Sequence, residues 1–268
     1  MIDIKRAESE FRAYTSKYDA NNKMINLKIV HTFKVAENCE KISKSLALSD
    51  ELITFARFLG LLHDIGRFEQ VKNYGTFLDI VSVDHAEFGA DLLFKKNLID
   101  KFQAENLSPE FFKILETAIR LHNKLKLPDD LDEQTRLFCN IIRDADKIDI
   151  FRVVSEMSFE DRIGSSKNLV READEASDEV MQCVYQHRCV PRTSQRTRFE
   201  ACISYCCMAF ELFFPESKRL AVEQGFLALL FEKNFWSDKE YSQLCVVKNE
   251  IENVFGENFQ QLNKRNHF

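Results

Sequence analysis

Residues 61–70 read LLHDIGRFEQ, in which an apolar run reaches the adjacent pair His63-Asp64. Apolar residues precede the pair at helical spacing, namely Leu52, Phe55, Phe58, Leu59 and Leu62. Ser49 or Asp50 can cap such a helix because their side-chain oxygens accept unpaired backbone N–H groups, and Gly66 is a natural C-terminal stop. We therefore expect a helix from about residue 51 whose last turn presents His63 and Asp64.

Other histidines and acids occur in a regular order on either side of this pair. His31 precedes it, and His85, His122 and the acidic run Asp144-Ala145-Asp146 follow it. Imidazole and carboxylate groups hold first-row metal ions, and a catalytic metal needs several of them converging from separate parts of the fold. A lone histidine on an apolar helix is more often a hydrogen-bonded core residue, so it is the order of the whole set that indicates a metal site.

The rest of the chain also has helical periodicity. Only four prolines and seven glycines occur, and few chain breakers favour long helices. We expect an all-α fold: a single domain over residues 1–268, with a core at about 22–155 and a C-terminal helical extension at about 156–268. Asp84 can cap a helix that begins at His85. The remaining predicted helices are 3–18, 24–47, 109–122, 132–153, 167–185, 196–213, 216–233 and 238–255, and residues 67–82 are predicted to form a loop with a turn at Tyr74-Gly75-Thr76.

Composition narrows the classes of function and location. The net charge is −6 and no long basic block occurs, so nucleic acid is not an expected partner. No apolar run approaches 18 residues and the N-terminal sequence lacks a signal-peptide core, so neither a membrane span nor secretion is expected. The eight cysteines form no Cys-x-x-Cys pair, which favours buried, reduced thiols and a cytoplasmic location.

The flanks of the candidate ligands are distinctive: DHAEFGADLL at 84–93, RLHNK at 120–124 and IIRDADKIDIF at 141–151, besides LLHDIGRFEQ. Over about residues 24–155 the chain resembles the HD superfamily of metal-dependent phosphohydrolases, in which a first His, a His-Asp pair and a distal Asp lie on a bundle of helices. The resemblance implies metal ligands at His31, His63, Asp64 and either Asp144 or Asp146. Asp146 is preferred, since the superfamily's last motif usually reads Ala-Asp-x-Leu-Asp, which also aligns Asp149 with its second acid.

A second metal ion is implied by a branch of that superfamily. The segment His85-Ala-Glu87-Phe-Gly89 resembles the His-x-Glu-x-Gly segment of the HD-GYP branch, whose extra histidines bind a second ion. His122 falls where that branch has its next histidines, although Asn123 replaces the second of a usual His-His pair, and KLKLPDDL at 124–131 stands in place of the Gly-Tyr-Pro signature. One or two divalent ions (Mn, Mg, Fe, Co, Ni or Zn) are thus expected, with Asp64 as the bridging carboxylate.

Other residues are predicted to act around these ions. Asp64 and Glu87 are predicted to be catalytic, and Asp84, Glu87 and Asp149 to orient ligands. Arg67 and Lys147 are predicted to bind substrate, because cationic side chains hold phosphate. Further candidates for phosphate binding are the cations around Pro191, namely His187, Arg188, Arg192, Arg196 and Arg198. Three residues that follow the His-Asp pair could shape a pocket: Glu69, Tyr74 and Asp79.

The leading hypothesis is hydrolysis of a nucleotide or another small phosphoester, with no partner other than that substrate and the oligomeric state left open. A second hypothesis is a di-iron oxygenase, since myo-inositol oxygenase and its relatives hold two irons with the same ligand types on the same scaffold. A third is a non-catalytic regulatory module that keeps the fold and the metal.

Overall fold

A computed structural model describes residues 2–102, 107–156, 175–191, 194, 197–233 and 236–256 of the chain. Within these ranges the regular structure is helical and no strand occurs, so the predicted all-α class is confirmed. The first seven helices are α1 (Ile4–Thr15), α2 (Lys23–Ser45), α3 (Asp50–Leu62), α4 (Gly66–Tyr74), α5 (His85–Ala90), α6 (Pro109–Leu121) and α7 (Glu133–Glu156). A π-helical turn, Asp91–Lys95, directly follows α5.

Side-chain caps fix where these helices begin. The Asn22 side-chain oxygen Oδ1 accepts from the backbone N–H groups of Met24 and Ile25, and the Ser49 hydroxyl oxygen accepts from the backbone N–H of Leu52. Asp84 accepts from the first turn of α5, as predicted, and Ser108 caps α6 just before Pro109. Each cap satisfies N–H groups that have no partner within their own helix. The first residues of α2, which carries His31, and of α5, which begins at His85, are therefore set by local sequence.

The α2–α3 pair forms the centre of the helical core. A side-chain carbon added at Gly60 would lie 2.7 Å from the Ala36 Cα atom, so the two helices approach to backbone contact there. Phe55 packs edge-on against Phe138 of α7, with ring centroids 4.7 Å apart, and also contacts Phe111 of α6 at 4.8 Å. These aromatic contacts hold α3, α6 and α7 together.

The prediction of a loop over residues 67–82 is wrong for its first half, which belongs to the helix α4. Gly66 begins α4 instead of ending the preceding helix, and the chain turns only after Tyr74, at the predicted Tyr74-Gly75-Thr76 turn. A side-chain carbon at Gly66 would lie 2.5 Å from the His85 carbonyl oxygen and 2.7 Å from the Gly89 nitrogen. Glycine is therefore required at residue 66 because α4 packs closely on α5 there, and not because a helix ends there.

The contacts divide the chain into two compact units, Met1–Asp149 and Ile150–Phe268, with the boundary inside α7. The prediction that both form a single domain stays a prediction. The second unit contains the helices Asp178–Tyr185, Arg198–Cys207, Pro215–Glu223, Phe226–Leu229 and Asp238–Phe255. The helix predicted over 216–233 is broken because Gly225 adopts φ +76°, which residues with side chains rarely do. Part of the helix predicted over 167–185 lies outside the described residues.

Two predictions from composition concern the described residues as well. None of their helices combines the length and apolarity that a membrane span requires. No disulfide joins the eight cysteines, all of which lie in described ranges, and six of them are buried. Cys189 and Cys245 are partly exposed.

Candidate metal centre

Six predicted ligands meet inside the first unit. His31 comes from the middle of α2, His63 and Asp64 from the turn after α3, His85 from the first residue of α5, His122 from the end of α6 and Asp146 from α7. Ligand atoms within 4.8 Å of one another define the groups His31–His63–Asp64, Asp64–His85–His122 and His63–His122–Asp146, and a fourth group, Asp79–Asp84–His85, shares His85 with them. We call His31, His63, Asp64 and Asp146 the first subsite, and Asp64, His85 and His122 the second. They form one continuous, largely buried cluster.

Asp64 lies between the two subsites. Its Oδ2 atom is 3.5 Å from His31 Nε2 and 3.6 Å from His63 Nε2. Its Oδ1 atom is 3.5 Å from His85 Nε2 and 3.7 Å from His122 Nε2. One carboxylate thus turns a different oxygen toward each pair of histidines, as a bridging ligand must.

The other ring nitrogen of each histidine is held by an oxygen. His63 Nδ1 and His122 Nδ1 donate to the carbonyl oxygens of Gly60 and Ile119, each at 2.7 Å, in the last turn of their helices. His31 Nδ1 is 2.7 Å from Asp149 Oδ2, and His85 Nδ1 is 2.6 Å from Asp79 Oδ2. A backbone carbonyl can only accept a hydrogen bond, so in neutral His63 and His122 the lone pair is on Nε2. All four Nε2 atoms face Asp64.

Whether a cation fits this cluster can be tested on its unsatisfied atoms. His31 Nε2, His63 Nε2 and Asp64 Oδ1 are buried without a hydrogen-bond partner. His85 Nε2 and His122 Nε2 lie 3.1 Å apart, although with both protons on Nδ1 the two atoms present lone pairs to each other. Buried polar atoms without partners are costly, and cations bound in the two subsites would satisfy these atoms. Four imidazoles and two carboxylates are also a donor set that suits first-row divalent metals.

The protonation states of the metal-free protein are consistent with such a site. Burial lowers the pKa of His63 to about 3 and that of His85 to about 4, so both rings are neutral near pH 7. Burial and the Lys28 ammonium oppose protonation of His31, but Asp146, Asp149 and Asp64 outweigh them and raise its pKa to about 10. A cation that binds His31 therefore replaces a proton.

Asp149 and Asp144 occupy different positions relative to the cluster. Asp149 is fully buried and its contact with His31 Nδ1 orients that ring, as predicted for a group that positions a ligand. Asp146 Oδ1 lies 3.1 Å from His31 Nε2 and 3.8 Å from His63 Nε2. Asp144 belongs to none of the ligand groups found among the described residues. The geometry thus agrees with the preference for Asp146 as the distal acid.

Glu87 is not brought to the cluster. It lies two residues after His85 on α5, which turns it to another side of the helix, and its side chain is 47% exposed. Its Oε2 atom accepts from Arg120 Nη1 at 2.6 Å. Asp84 caps α5 and pairs with Lys124 at 2.6 Å. This placement gives no support to the catalytic role predicted for Glu87, which stays a prediction.

The two predicted substrate-binding cations are both largely buried. Arg67 Nη1 donates to Gln70, to Asp79 and to the Phe77 carbonyl oxygen, which ties one end of the guanidinium to the segment after α4. Arg67 Nε lies 3.6 Å from Asp64 Oδ1 and has no hydrogen-bond partner among the described residues. Lys147 lies beside Asp146 on α7 and is 9% exposed. Neither placement tests a role in binding substrate.

Lys28 was missed in the sequence. Its Nζ atom lies 2.6 Å from Asp64 Oδ2, the same oxygen that faces His31 and His63, and its side chain is 13% exposed. Burial opposes ionisation of Asp64, but the Lys28 ammonium outweighs it and holds the pKa of Asp64 well below its usual range. A signal was present, because Lys28 precedes His31 by three residues and so lies on the same face of α2.

The cations predicted around Pro191 lie in the second unit. His187 pairs with Glu250 at 2.8 Å and Arg188 contacts the Cys183 sulfur, while Arg192 and Arg196 lie outside the described residues. Of the three pocket candidates, Glu69 accepts from Tyr18 at 2.8 Å, Tyr74 is half-exposed, and Asp79 bonds with His85.

Comparisons with known proteins agree with the resemblance seen in the sequence. A family model described as HD domain matches residues 29–150, a range that includes all six ligands. A search of curated proteins and a search of solved structures gave no match. Residues 29–150, somewhat less than half of the chain, therefore match the HD domain, in agreement with the resemblance carried by the ligand motifs.

Proposed function

We propose that the protein is a metal-dependent phosphohydrolase that acts on a nucleotide or another small phosphoester. The observation that carries this proposal is Asp64, whose two oxygens face separate pairs of histidine Nε2 atoms inside an HD domain. His31, His63, Asp64 and Asp146 would hold one divalent ion, and Asp64, His85 and His122 a second. Two ions favour phosphoryl chemistry because such a pair can stabilise the attacking and the departing oxygen together.

The metal would supply Lewis acidity: it lowers the pKa of a bound water from about 16 to about 7 and neutralises charge that builds on a phosphoryl oxygen. The chain's own contribution is to hold the ligands and to attract the anion. Asp149 and the Gly60 and Ile119 carbonyls keep the rings of His31, His63 and His122 turned toward Asp64. Burial of most of the cluster strengthens each electrostatic contact within it.

Cations at the edge of the cluster support an anionic substrate. Lys28 Nζ and Arg67 Nε approach opposite oxygens of Asp64, and both cations lie over the Phe77 ring at 5.5 Å. Lys28 is paired with Asp64 at 2.6 Å in the metal-free protein; with a metal held by Asp64 that attraction would be weaker, and the ammonium could bind a phosphate. Lys147, beside Asp146, is the third candidate.

A metal-supplemented screen of phosphorylated metabolites tests this function. The purified protein would be assayed with Mn²⁺, Mg²⁺ or Co²⁺ against nucleotides and sugar phosphates, with release of phosphate as the readout. The double variant His63→Ala/Asp64→Ala is the blank. The matched control is His187→Ala/Glu250→Ala, which removes a paired histidine and carboxylate from the second unit. We expect turnover in the wild type and the control but not in the blank, and equal turnover in all three would refute the proposal.

The same preparation separates the two other hypotheses. Anaerobic purification, iron analysis and electron paramagnetic resonance would reveal a mixed-valent di-iron centre if the protein is an oxygenase. Stoichiometric metal without turnover of any phosphoester would favour the regulatory module.

A further inference from the structure

Asp79 connects the second subsite to the segment between α4 and α5. It begins a single 3₁₀ turn, Asp79–Val81, whose next two residues, Ile80 and Val81, are 92% and 64% exposed. The Asp79 side chain, in contrast, points inward and is only 15% exposed. Its Oδ2 atom lies 2.6 Å from His85 Nδ1. A short surface turn thus carries the one described carboxylate that contacts the outer nitrogen of His85.

The other oxygen of Asp79 is fixed by two donors. Arg67 Nη1 lies 2.9 Å and Gln70 Nε2 3.0 Å from Asp79 Oδ1, and Gln70 is fully buried. Neither group can accept a hydrogen bond at those atoms, so Oδ1 is the acceptor for both. The carboxylate is thereby held in one orientation, with Oδ2 aimed at His85.

This arrangement selects one form of the His85 ring. An ionised carboxylate only accepts, so His85 Nδ1 must carry the proton and Nε2 must carry the lone pair. Nε2 is the atom that faces Asp64 and His122. His122 has the same tautomer because its Nδ1 donates to the backbone carbonyl oxygen of Ile119. A side-chain substitution at Ile119 would leave that carbonyl in place.

We propose that Asp79 is the positioning residue of the second subsite: with Arg67 and Gln70 it fixes His85 as an Nε2 ligand and so determines whether the site holds a second divalent ion. The inference rests on the metal centre of the proposed function but not on its phosphoester substrate. Asp79 itself touches no reacting atom.

Asp79→Asn is the sharpest variant because it keeps size and shape. The Arg67 and Gln70 donors hold the carbonyl oxygen of the new amide on their side, which turns its NH₂ group toward His85 Nδ1. His85 must then accept at Nδ1 and carry its proton on Nε2, where it blocks metal binding. The same exchange of aspartate for asparagine beside a histidine inverts the tautomer without disturbing geometry in serine proteases.

The test measures metal binding and the tautomer separately. Mn²⁺ affinity and stoichiometry would be measured by calorimetry and elemental analysis of the full chain. Nitrogen-15 NMR of the metal-free protein, with His85 assigned from a His85→Ala spectrum, would report which nitrogen is protonated. Asp149→Asn is the reciprocal variant, since Asp149 contacts His31 of the first subsite, and Asp129→Asn, at a side chain 85% exposed, is the neutral control.

We expect two Mn²⁺ ions per wild-type chain, and in Asp79→Asn one unchanged ion and a second weakened by about 10–100-fold. Asp149→Asn should weaken the other ion, and Asp129→Asn neither. Three results would each overturn the inference: two ions at wild-type affinity in Asp79→Asn, a single ion in the wild type, or a wild-type His85 that is protonated on Nε2. The third result is measured on the wild type and so does not depend on how well the variant folds. Two ions with the expected loss, but no phosphoester turnover, would refute the substrate and leave the role of Asp79 standing.

Discussion

His63 and His122 hold equivalent positions in the two subsites, whereas His31 and His85 do not. Each of the first two ends a helix and donates Nδ1–H to the carbonyl oxygen three residues earlier. His31 is oriented by Asp149, which is fully buried on the 24-residue helix α7. His85 is oriented by Asp79, on a three-residue turn with exposed neighbours. The first subsite is therefore supported by long packed helices, and the second depends partly on a surface segment, so we expect the second ion to be lost more easily.

The largest effect is expected for the residue that both subsites share. Asp64→Asn keeps the shape of the side chain but removes the charge that balances the cations on both sides. We expect both ions to be lost, with a larger drop in affinity than the roughly 10–100-fold typical of an outer partner. Elemental analysis and circular dichroism of the purified variant would check this. Normal metal content would show that Asp64 is not the ligand shared by the two subsites.

The next effect separates the subsites. His85→Ala/His122→Ala removes two of the three ligands of the second subsite, and we expect the metal content to fall from two ions per chain to one. His31→Ala/His63→Ala is the reciprocal variant and should also retain no more than one. A wild-type value of one that the first double variant leaves unchanged would contradict the two-ion site.

Lys28→Met sharpens the comparison from the other direction. Lys28 competes with metal for Asp64 Oδ2, so its removal should raise affinity at the first subsite by roughly tenfold, the factor that 1.4 kcal/mol gives. The metal-free protein should become less stable, because breaking a buried ion pair costs about 3–5 kcal/mol and this pair is nearly buried. Thermal unfolding with and without Mn²⁺ measures both effects.

The control for this variant is Lys34→Met, which breaks an exposed pair with Glu37. Lys34→Met should change neither the free energy of metal binding nor the free energy of unfolding by more than a few tenths of a kcal/mol. If Lys28→Met binds metal more weakly than the wild type, competition by the ammonium is excluded.

The smallest effect concerns the contact between α4 and α5. Gly66→Ala places a carbon against the His85 and Gly89 backbones, and such overpacking costs about 1–3 kcal/mol. Because the contact lies between Asp64 and His85, we expect the second ion to weaken while the first is retained. Gly225→Ala is the control: its added carbon meets open space but is strained by φ +76°, so it should destabilise the second unit and leave both ions bound. Equal metal affinity in Gly66→Ala and the wild type would show that the second subsite tolerates this displacement.

Much of this centre could be predicted from the sequence because its ligands lie at positions that local rules define. Helical spacing gives α2, α3, α6 and α7, and the caps at Asp84 and Ser108 fix where α5 and α6 begin. A histidine at a helix end has a carbonyl oxygen within reach of Nδ1, so the orientations of His63 and His122 follow from helix geometry. The order of the six ligands, together with their distinctive flanking sequences, carried the resemblance to the HD superfamily.

Other features depend on contacts between distant segments. A glycine after an apolar helix predicts a helix stop, yet Gly66 begins α4. Glycine is required there because the His85 backbone, 19 residues later, leaves no room for a side chain. The role of Glu87 came from the resemblance of its segment to His-x-Glu-x-Gly, and it stays a prediction. A helix turns successive side chains about 100° apart, and Arg120 pairs with Glu87 at the surface. The carboxylate that Lys28 contacts and the ring that Asp79 contacts are set where α2 meets Asp64 and where the turn after α4 meets His85. Sequence alone determined which residues can bind metal, because that is a property of each side chain and its helix. The tertiary structure decided which oxygen faces each ring, because the packing of separate helices sets those distances.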